Sequence, residues 1–239
     1  MLGGYDLAGL VQNATTWVLP VLFAITLHEA AHGFVAWRLG DNTAYMLGRV
    51  SFNPLRHIDP FGTVLLPALL LLSGTGFLFG YAKPVPVNFR NLNHPKRDMV
   101  WVALAGPGIN IFLAIISALL LHLAVMLPPE ISDFAGQTLF NSILLNIWLA
   151  LFNMLPLPPL DGGRVAVGIL PRPLALPLAN LERYGMLILI GLIFLLPLLG
   201  RTIGLNLNIL SWILGPASSY VLNVIAHLTG VMSIIGPGL

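Results

Sequence analysis

The sequence lacks cysteine and has few charged side chains. None of its 239 residues is cysteine and only 8% are charged, whereas about a quarter of the residues in a soluble domain are charged. The chain therefore has no disulfide, no thiolate metal ligand and no cysteine nucleophile. The net charge is only +2, and the few lysines and arginines are spread along the chain. Binding to nucleic acid would need a concentrated basic surface, so we expect no nucleic-acid partner.

Hydrophobic residues take the place of charge. They make up 57% of the chain, and the mean hydropathy is +0.89. At about 20 residues per crossing, this length supplies five or six transmembrane helices. We predict an all-α polytopic membrane protein with a single domain over residues 1–239. The N-terminus lacks the basic region of a cleavable signal peptide, so we expect the first apolar helix to be retained.

Apolar runs and their breakers predict where the helices lie. Gly40 and Asp41 end the first of them, and Pro20 interrupts its interior. The predicted helices cover residues 7–39, 99–127, 134–155, 184–199 and 205–228.

The basic residues predict the orientation of the chain in the membrane. Residues 38–56 contain three arginines and residues 83–97 contain four basic side chains, while the connector 128–133 is acidic. The positive-inside rule places the two basic segments in the cytoplasm, so the N-terminus lies outside and the C-terminus inside. The apolar residues 61–79 between the basic segments are then expected to form a re-entrant segment instead of a full crossing.

Two stretches beside this apolar segment have the composition of short extended chain. Residues 48–52 and 84–89 are expected to pair as a small membrane-associated β-ribbon, and the prolines at 84 and 86 allow only an edge strand or a polyproline-like path. Such an edge can hold an extended peptide by β-addition. An alternative is that the ribbon only plugs the neighbouring site against lipid.

A metal-binding pattern lies near the end of the first helix. Residues 28–32 read HEAAH, and histidines four residues apart on a helix project from one face, so His28 and His32 can bind the same metal ion. Glu29 is placed to act as a general base on water that the metal activates. The alternative is a pair of satisfied core histidines, but ionisable groups at membrane depth are expensive and are usually functional.

A catalytic zinc ion typically has three protein ligands, so a third must come from elsewhere. Most of the nine acidic residues lie at predicted helix ends or in connectors. Asp161 differs because it follows a proline-broken helix that returns to the same side of the membrane as the histidines. An aspartate before Gly162 and Gly163 can also be a simple turn residue, and on spacing alone the two interpretations are equally weighted.

The combination of motifs resembles the site-2 protease family of intramembrane zinc metalloproteases. The HEAAH motif is followed in the expected order by NMLPLPPLDGG at residues 153–163. Three further segments also resemble family segments, so the match covers about residues 18–165. They are residues 53–60 (NPLRHIDP), 80–88 (GYAKPVPVN) and 105–110 (AGPGIN).

The resemblance implies a set of roles. His28, His32 and Asp161 would bind one Zn²⁺, Glu29 would be the base, and the reaction would be cleavage of a peptide bond within or near a transmembrane segment. The family Asn at position 153 would stabilise the oxyanion, with a helix–helix contact as its alternative. The catalytic core would span about residues 7–170 and the C-terminal helices about residues 180–235.

The resemblance also predicts the surroundings of the protein. Compact prokaryotic members lack PDZ and CBS domains, and this chain has no room for either. We expect a multi-pass protein of the cell membrane whose partners are the lipid bilayer and a transmembrane protein or peptide substrate.

Several side chains and two other functions remain open at this point. Asn110 is expected mainly to hold helices together, with a contact to the oxyanion as its alternative. His57 is expected to be an interfacial histidine, with a group that supports the ligands or carries a proton as its alternative. The remaining histidines, His94, His122 and His227, are interpreted as structural or interfacial. A catalytically silent membrane-binding homologue and a metal or proton transporter are the competing functions; a transporter would be supported by inverted repeats, and none stands out in the sequence.

Overall fold

The computed structural model describes residues 7–65, 69 and 83–235, and this part of the chain is helical without a β-strand. Short 3-10 helices lie at Pro54–Arg56 and Phe89–Asn91, and π-helical turns at Pro60–Leu65 and Gly191–Leu195. The last of these turns lies inside α7. The helices are α1 (Leu7–Arg38), α2 (Thr43–Met46), α3 (Pro95–Ala124), α4 (Pro129–Asn153), α5 (Asp161–Ile169), α6 (Arg172–Asn180), α7 (Glu182–Thr202), α8 (Ile209–Thr229) and α9 (Met232–Ile235).

Five of the described helices are long and apolar enough to cross a membrane. They are α3, α4, α7, α8 and residues Ala14–Arg38 of α1. The protein is therefore a multi-pass membrane protein, and the predicted all-α class is confirmed.

Two helices begin earlier than the sequence predicts, because their first turns are polar. Pro95 opens α3, where its missing N–H is harmless, and the Asp98 carboxylate accepts the His94 backbone N–H at 2.7 Å. The acidic connector opens α4, and Glu130 lies in its first turn, where the helix dipole favours a negative charge. Hydrophobicity alone therefore places these starts four or five residues too late.

The short helices α5 and α6 were not predicted. Pro171 precedes α6 and Pro173 lies in its first turn, where proline is tolerated. α5 packs against α3 and α6, so this part of the chain brings residue 161 back towards the membrane-spanning helices.

The centre of the molecule is formed by α1, α3 and α4, which pack against one another. Small residues allow this approach: Ala114 and Ala118 of α3 are fully buried against Ile143 and Ile147 of α4. α8 completes this core with Ile225 and Ala226, which lie in the same cluster. Many large apolar side chains of the five long helices remain exposed, as expected for surfaces that face lipid.

The predicted β-ribbon is not seen in the described residues. Residues 48–52 and 83–88 have no regular secondary structure and form no strand. Two prolines lack the N–H that a ladder requires, and two other N–H groups are donated to side chains instead. The Val85 N–H bonds Glu29 Oε2 at 2.6 Å, and the Asn88 N–H bonds Asp41 Oδ2 at 2.7 Å.

The end of α1 and the start of α3 lie side by side. The Asn93 backbone N–H donates to the Leu39 carbonyl at 2.8 Å. Gly40 has a φ of +112°, and its missing Cβ leaves room for the Asn93 side chain. The chain between these points therefore starts and ends on one side of the membrane. The predicted re-entrant segment, residues 61–79, lies mostly outside the described residues.

Candidate metal centre

His28, His32 and Asp161 converge on one point between α1 and α5. The Asp161 Oδ2 lies 3.2 Å from His28 Nε2 and 3.3 Å from His32 Nε2, and the two Nε2 atoms are 3.0 Å apart. All three residues are buried. They form a group of candidate ligand atoms within 4.8 Å of one another in the described part of the chain.

Local structure explains why these three side chains meet. The histidines occupy adjacent turns of α1 on one face, as their spacing predicts. Asp161 is the first residue of α5, so it begins a helix and does not lie in a turn. The two glycines after it are needed for close packing, because a Cβ on Gly162 would lie 2.2 Å from the Met154 carbonyl oxygen and one on Gly163 2.3 Å from the Pro158 nitrogen.

The outer nitrogens of both histidines face hydrogen-bond acceptors. His28 Nδ1 lies 2.6 Å from Asn110 Oδ1, and His32 Nδ1 lies 2.7 Å from the Val102 carbonyl oxygen. Each Nδ1 therefore donates a proton, and in the neutral imidazole the lone pair is on Nε2, which points into the cluster.

The centre of the cluster fits a cation. Two imidazole lone pairs and a carboxylate oxygen face one another in a buried space, and such a group is stable only with a positive charge among them. Among the described residues, Asp161 Oδ2 has no hydrogen-bond donor. Gly106 of α3 borders the same point, where a Cβ would lie 2.5 Å from His32 Nε2 and 2.6 Å from His28 Nε2. Two nitrogens and one carboxylate oxygen form a ligand set found at catalytic zinc sites.

Glu29 lies next to His28 on the chain and is half-buried. Its Oε2 accepts the Val85 backbone N–H at 2.6 Å, so the carboxylate is held between α1 and the non-helical residues 83–88. The sequence did not indicate this contact, because it depends on a backbone donor 56 residues away.

Asn153 is the last residue of α4. Its predicted role as a donor to the oxyanion stays a prediction. Its side-chain amide donates to the Leu149 carbonyl oxygen of its own helix at 3.0 Å. Rotation about its side-chain bonds would be needed to present this donor elsewhere.

Asn110 contacts the cluster directly, although the sequence favoured a helix-packing role. It accepts from His28, and its amide nitrogen donates to Asn146 Oδ1 at 2.7 Å. Asn146 was not predicted from the sequence, where the available signal was a polar amide in an apolar helix. Val102 contributes only a carbonyl, which has no signature in a sequence.

The other histidines lie away from the cluster. His57 is buried and its Nε2 lies 3.0 Å from the Ser51 carbonyl oxygen. His122 Nε2 bonds the Thr229 carbonyl oxygen at 2.9 Å and so links α3 to α8. His94 lies beside Asp98 with an exposed ring, and His227 is exposed.

The fold and the cluster together define a class: a multi-pass membrane protein with a buried site of two histidines and one aspartate. The chain is 40% identical over 185 residues to "Putative zinc metalloprotease YwhC" of Bacillus subtilis, covering 76% of this chain and 80% of that relative. It is 32% identical over 181 residues to "Putative zinc metalloprotease Rip2" of Mycolicibacterium smegmatis, covering 75% of this chain and 66% of the relative. The Mycobacterium tuberculosis Rip2 is 32% identical over 141 residues, which are 59% of this chain and 52% of that relative.

The chain therefore belongs to the zinc metalloprotease family of these relatives. No family model and no solved structure matches it.

Proposed function

We propose that this protein is an intramembrane zinc endopeptidase of the site-2 protease type. It would act in the cell membrane and hydrolyse a peptide bond within or near a transmembrane segment of a protein substrate. The observation that carries the proposal is the convergence of His28, His32 and Asp161 within 3.3 Å of one another, at the end of a helix long enough to span a membrane.

The positions of the side chains support a separate role for each of them. His28, His32 and Asp161 would hold the metal, and Asn110 and the Val102 carbonyl fix the two imidazoles with Nε2 directed inward. When bound at such a site, zinc polarises a carbonyl group and makes water more acidic. Glu29 would take the proton of the attacking water and later deliver it to the leaving amine.

The substrate must change its structure before it can react. A peptide bond inside a helix is shielded by the helix, so the segment to be cleaved has to become extended locally. Residues 83–88 contact the proposed base, because the Val85 backbone N–H donates to Glu29, and this contact supports a role for the segment in holding the substrate beside Glu29. Asn153, at the end of α4, is our candidate for a donor to the oxyanion.

The first test separates metal binding from proton transfer. In purified protein, Glu29→Gln should keep about one zinc per chain but lose cleavage of a model transmembrane peptide by about 100-fold or more, because an amide cannot accept the proton. His32→Ala should lose both metal and activity, because two protein ligands form an incomplete site.

Asp161→Asn tests the third ligand. If Asp161 binds the metal, this variant should resemble His32→Ala in both zinc content and cleavage. Normal zinc content and normal cleavage in Asp161→Asn would instead show that Asp161 only begins α5 and does not bind the metal. Wild-type cleavage by Glu29→Gln would contradict the hydrolase mechanism and favour metal transport. A wild-type protein that binds zinc but cleaves no peptide would point to a catalytically silent homologue.

A further inference from the structure

A buried chain of hydrogen bonds leads from His28 into the interface between α3 and α4. His28 Nδ1 bonds Asn110 Oδ1 at 2.6 Å, and Asn110 Nδ2 donates to Asn146 Oδ1 at 2.7 Å. Asn146 Nδ2 then donates to the Ser142 carbonyl oxygen at 2.8 Å. Asn110 and Asn146 are 0% and 1% exposed, so water cannot replace any of these partners.

The direction of this chain is set at its far end. A backbone carbonyl can only accept, so Asn146 must turn its NH₂ group towards Ser142 and its oxygen towards Asn110. The Asn110 side chain must then present NH₂ to Asn146 and oxygen to His28. His28 in turn carries its proton on Nδ1, which leaves the Nε2 lone pair directed at Asp161 and His32.

The opposite orientation of the Asn110 amide would prevent His28 from binding a metal ion through Nε2. An amide rotated by half a turn would present NH₂ to His28 Nδ1, and the imidazole proton would move to Nε2, where a metal has to bind. One other contact favours the observed orientation, a donation from Asn110 Nδ2 to the Ala24 carbonyl oxygen, but it is long at 3.4 Å. The 2.7 Å bond to Asn146 is therefore the stronger constraint.

We infer that Asn146 is a positioning residue for the metal site: it acts through Asn110 to hold His28 in the tautomer that binds metal. This inference rests on the proposed function, because it assumes that His28 is a ligand. The competing explanation is that Asn146 only joins α4 to α3, as buried amides in membrane helices commonly do.

Asn141 provides a matched control for that explanation. It lies on the same helix, five residues earlier, and its amide also joins α4 to a neighbouring helix through a bond of 2.9 Å to Thr16 Oγ1 of α1. That bond leads away from His28. Replacing either asparagine by leucine removes one interhelical hydrogen bond. Only the change at Asn146 removes the acceptor that fixes the orientation of the Asn110 amide.

The experiment measures metal binding without any substrate. For purified wild type, Asn146→Leu and Asn141→Leu, zinc affinity is determined by competition with a chromophoric chelator, and the visible spectrum of the Co²⁺-loaded protein is recorded. We expect Asn146→Leu to bind zinc about tenfold more weakly and to alter the Co²⁺ spectrum, as is typical for loss of an outer hydrogen bond to a ligand. Asn141→Leu should match the wild type in both measurements.

Two further variants make the test independent of folding defects. Asn146→Asp keeps an acceptor facing Asn110 in either protonation state, so zinc affinity should stay close to that of the wild type. Asn146→Ser retains a small polar group but is too short to reach Asn110, so it should repeat the loss if the leucine variant does not fold.

Three results would overturn the inference. They are wild-type zinc affinity in Asn146→Leu and Asn146→Ser, equal losses in the variants at positions 141 and 146, and a failure of Asn146→Asp to retain affinity. A wild-type protein that binds no zinc would reject the proposed function as well, whereas normal wild-type binding with any of these three results rejects the role of Asn146 alone.

Discussion

Gly106 brings the backbone of α3 against the two imidazoles of α1. The sequence AGPG at residues 105–108 suggests close helix packing, and the structure shows what lies opposite. A Cβ at Gly106 would approach both Nε2 atoms within 2.6 Å. This glycine therefore leaves open the space that a bound ion needs.

We predict that Gly106→Ala reduces zinc affinity at least about tenfold, the scale on which disturbed metal sites lose affinity. The added methyl group would overlap the imidazole nitrogens that face the metal. Zinc per chain, measured by elemental analysis, and helical content, measured by circular dichroism, check this prediction.

Gly108→Ala is the matched control for this prediction. It lies two residues further along α3 and its Cβ would meet nothing within 4 Å among the described residues. Because alanine favours helix more than glycine does, this variant should retain zinc and unfold at the same or a slightly higher temperature. Equal zinc loss in both variants would show that general packing of α3 is responsible.

Asp41 connects the end of α1 with the residues that precede α3. Its carboxylate, which is fully buried, accepts hydrogen bonds from Thr43, from the Asn88 backbone and from the Asn91 side chain. Burial raises the pKa of Asp41, but the hydrogen bonds from Thr43, Asn88 and Asn91 outweigh it and hold the pKa below its ordinary value.

The lowered pKa of Asp41 predicts a loss of stability in acid. Its contribution is fully present above the unfolded-state pKa of about 3.9 and is lost as the pH falls through the lower folded-state pKa. Asp41→Asn should cost about 1–3 kcal/mol at pH 7 and should flatten the acid side of the curve. Thermal unfolding in detergent between pH 3 and pH 7 measures this, with the exposed Asp133→Asn as control. An unchanged acid slope in Asp41→Asn would contradict the assignment.

At the scale of elements, the non-helical residues 83–88 link three parts of the molecule. The Lys83 N–H donates to the His57 carbonyl oxygen at 2.9 Å, Val85 bonds Glu29, and Asn88 bonds Asp41. A segment without secondary structure is thus fixed by hydrogen bonds to α1 and to the residues after it. One of these bonds involves the proposed general base.

We predict that Val85→Pro lowers peptide cleavage about tenfold while zinc is retained. Proline has no N–H, and a hydrogen bond to a charged group contributes about 1.5–3 kcal/mol, so the Glu29 carboxylate would lose its orientation. The measurement is kcat/KM for a model peptide together with zinc content.

Val85→Ala keeps the backbone N–H and removes only the side chain, so it should lose much less activity. Unchanged or faster cleavage in Val85→Pro would contradict the prediction. Equal losses in both variants would assign the effect to side-chain packing near Gly33, where the Val85 side chain lies.

At the scale of the whole molecule, the meeting of α1 with the start of α3 constrains the topology. Residues 39–41 are hydrogen-bonded to residues 88–93, so both segments lie on the same side of the membrane. The positive-inside rule predicts from the basic residues around them that this side is the cytoplasm, and the acidic start of α4 lies at the opposite end of α3.

Thiol labelling tests this topology without background, because the chain has no cysteine. We predict that Met46→Cys and Arg90→Cys react with a membrane-impermeant maleimide from the cytoplasmic face, and that Asp133→Cys reacts only from the outer face. Met46 is 82% exposed. Comparison of right-side-out and inside-out vesicles measures the labelling, and labelling of positions 46 and 90 from opposite faces would mean that the chain between them crosses fully.

The sequence by itself determined the broad class and the candidate ligands. The long apolar runs predict membrane helices, because a helix of about 20 apolar residues matches the thickness of a bilayer. The i, i+4 spacing places His28 and His32 together because the geometry of a helix is local. Asp161 could be proposed through the resemblance of its motif, although its spacing was equally compatible with a turn.

Only the tertiary structure decided what surrounds these residues. The contacts of Asn146 with Asn110, of Val85 with Glu29 and of Gly106 with the histidines join positions that are far apart in the chain. The predicted β-ribbon was not found among the described residues, because pairing depends on which partner accepts each N–H group, and here the acceptors include the carboxylates of Glu29 and Asp41. Hydrophobic pattern and helical spacing are properties of neighbouring residues, whereas a buried hydrogen bond is fixed only when two distant segments pack together.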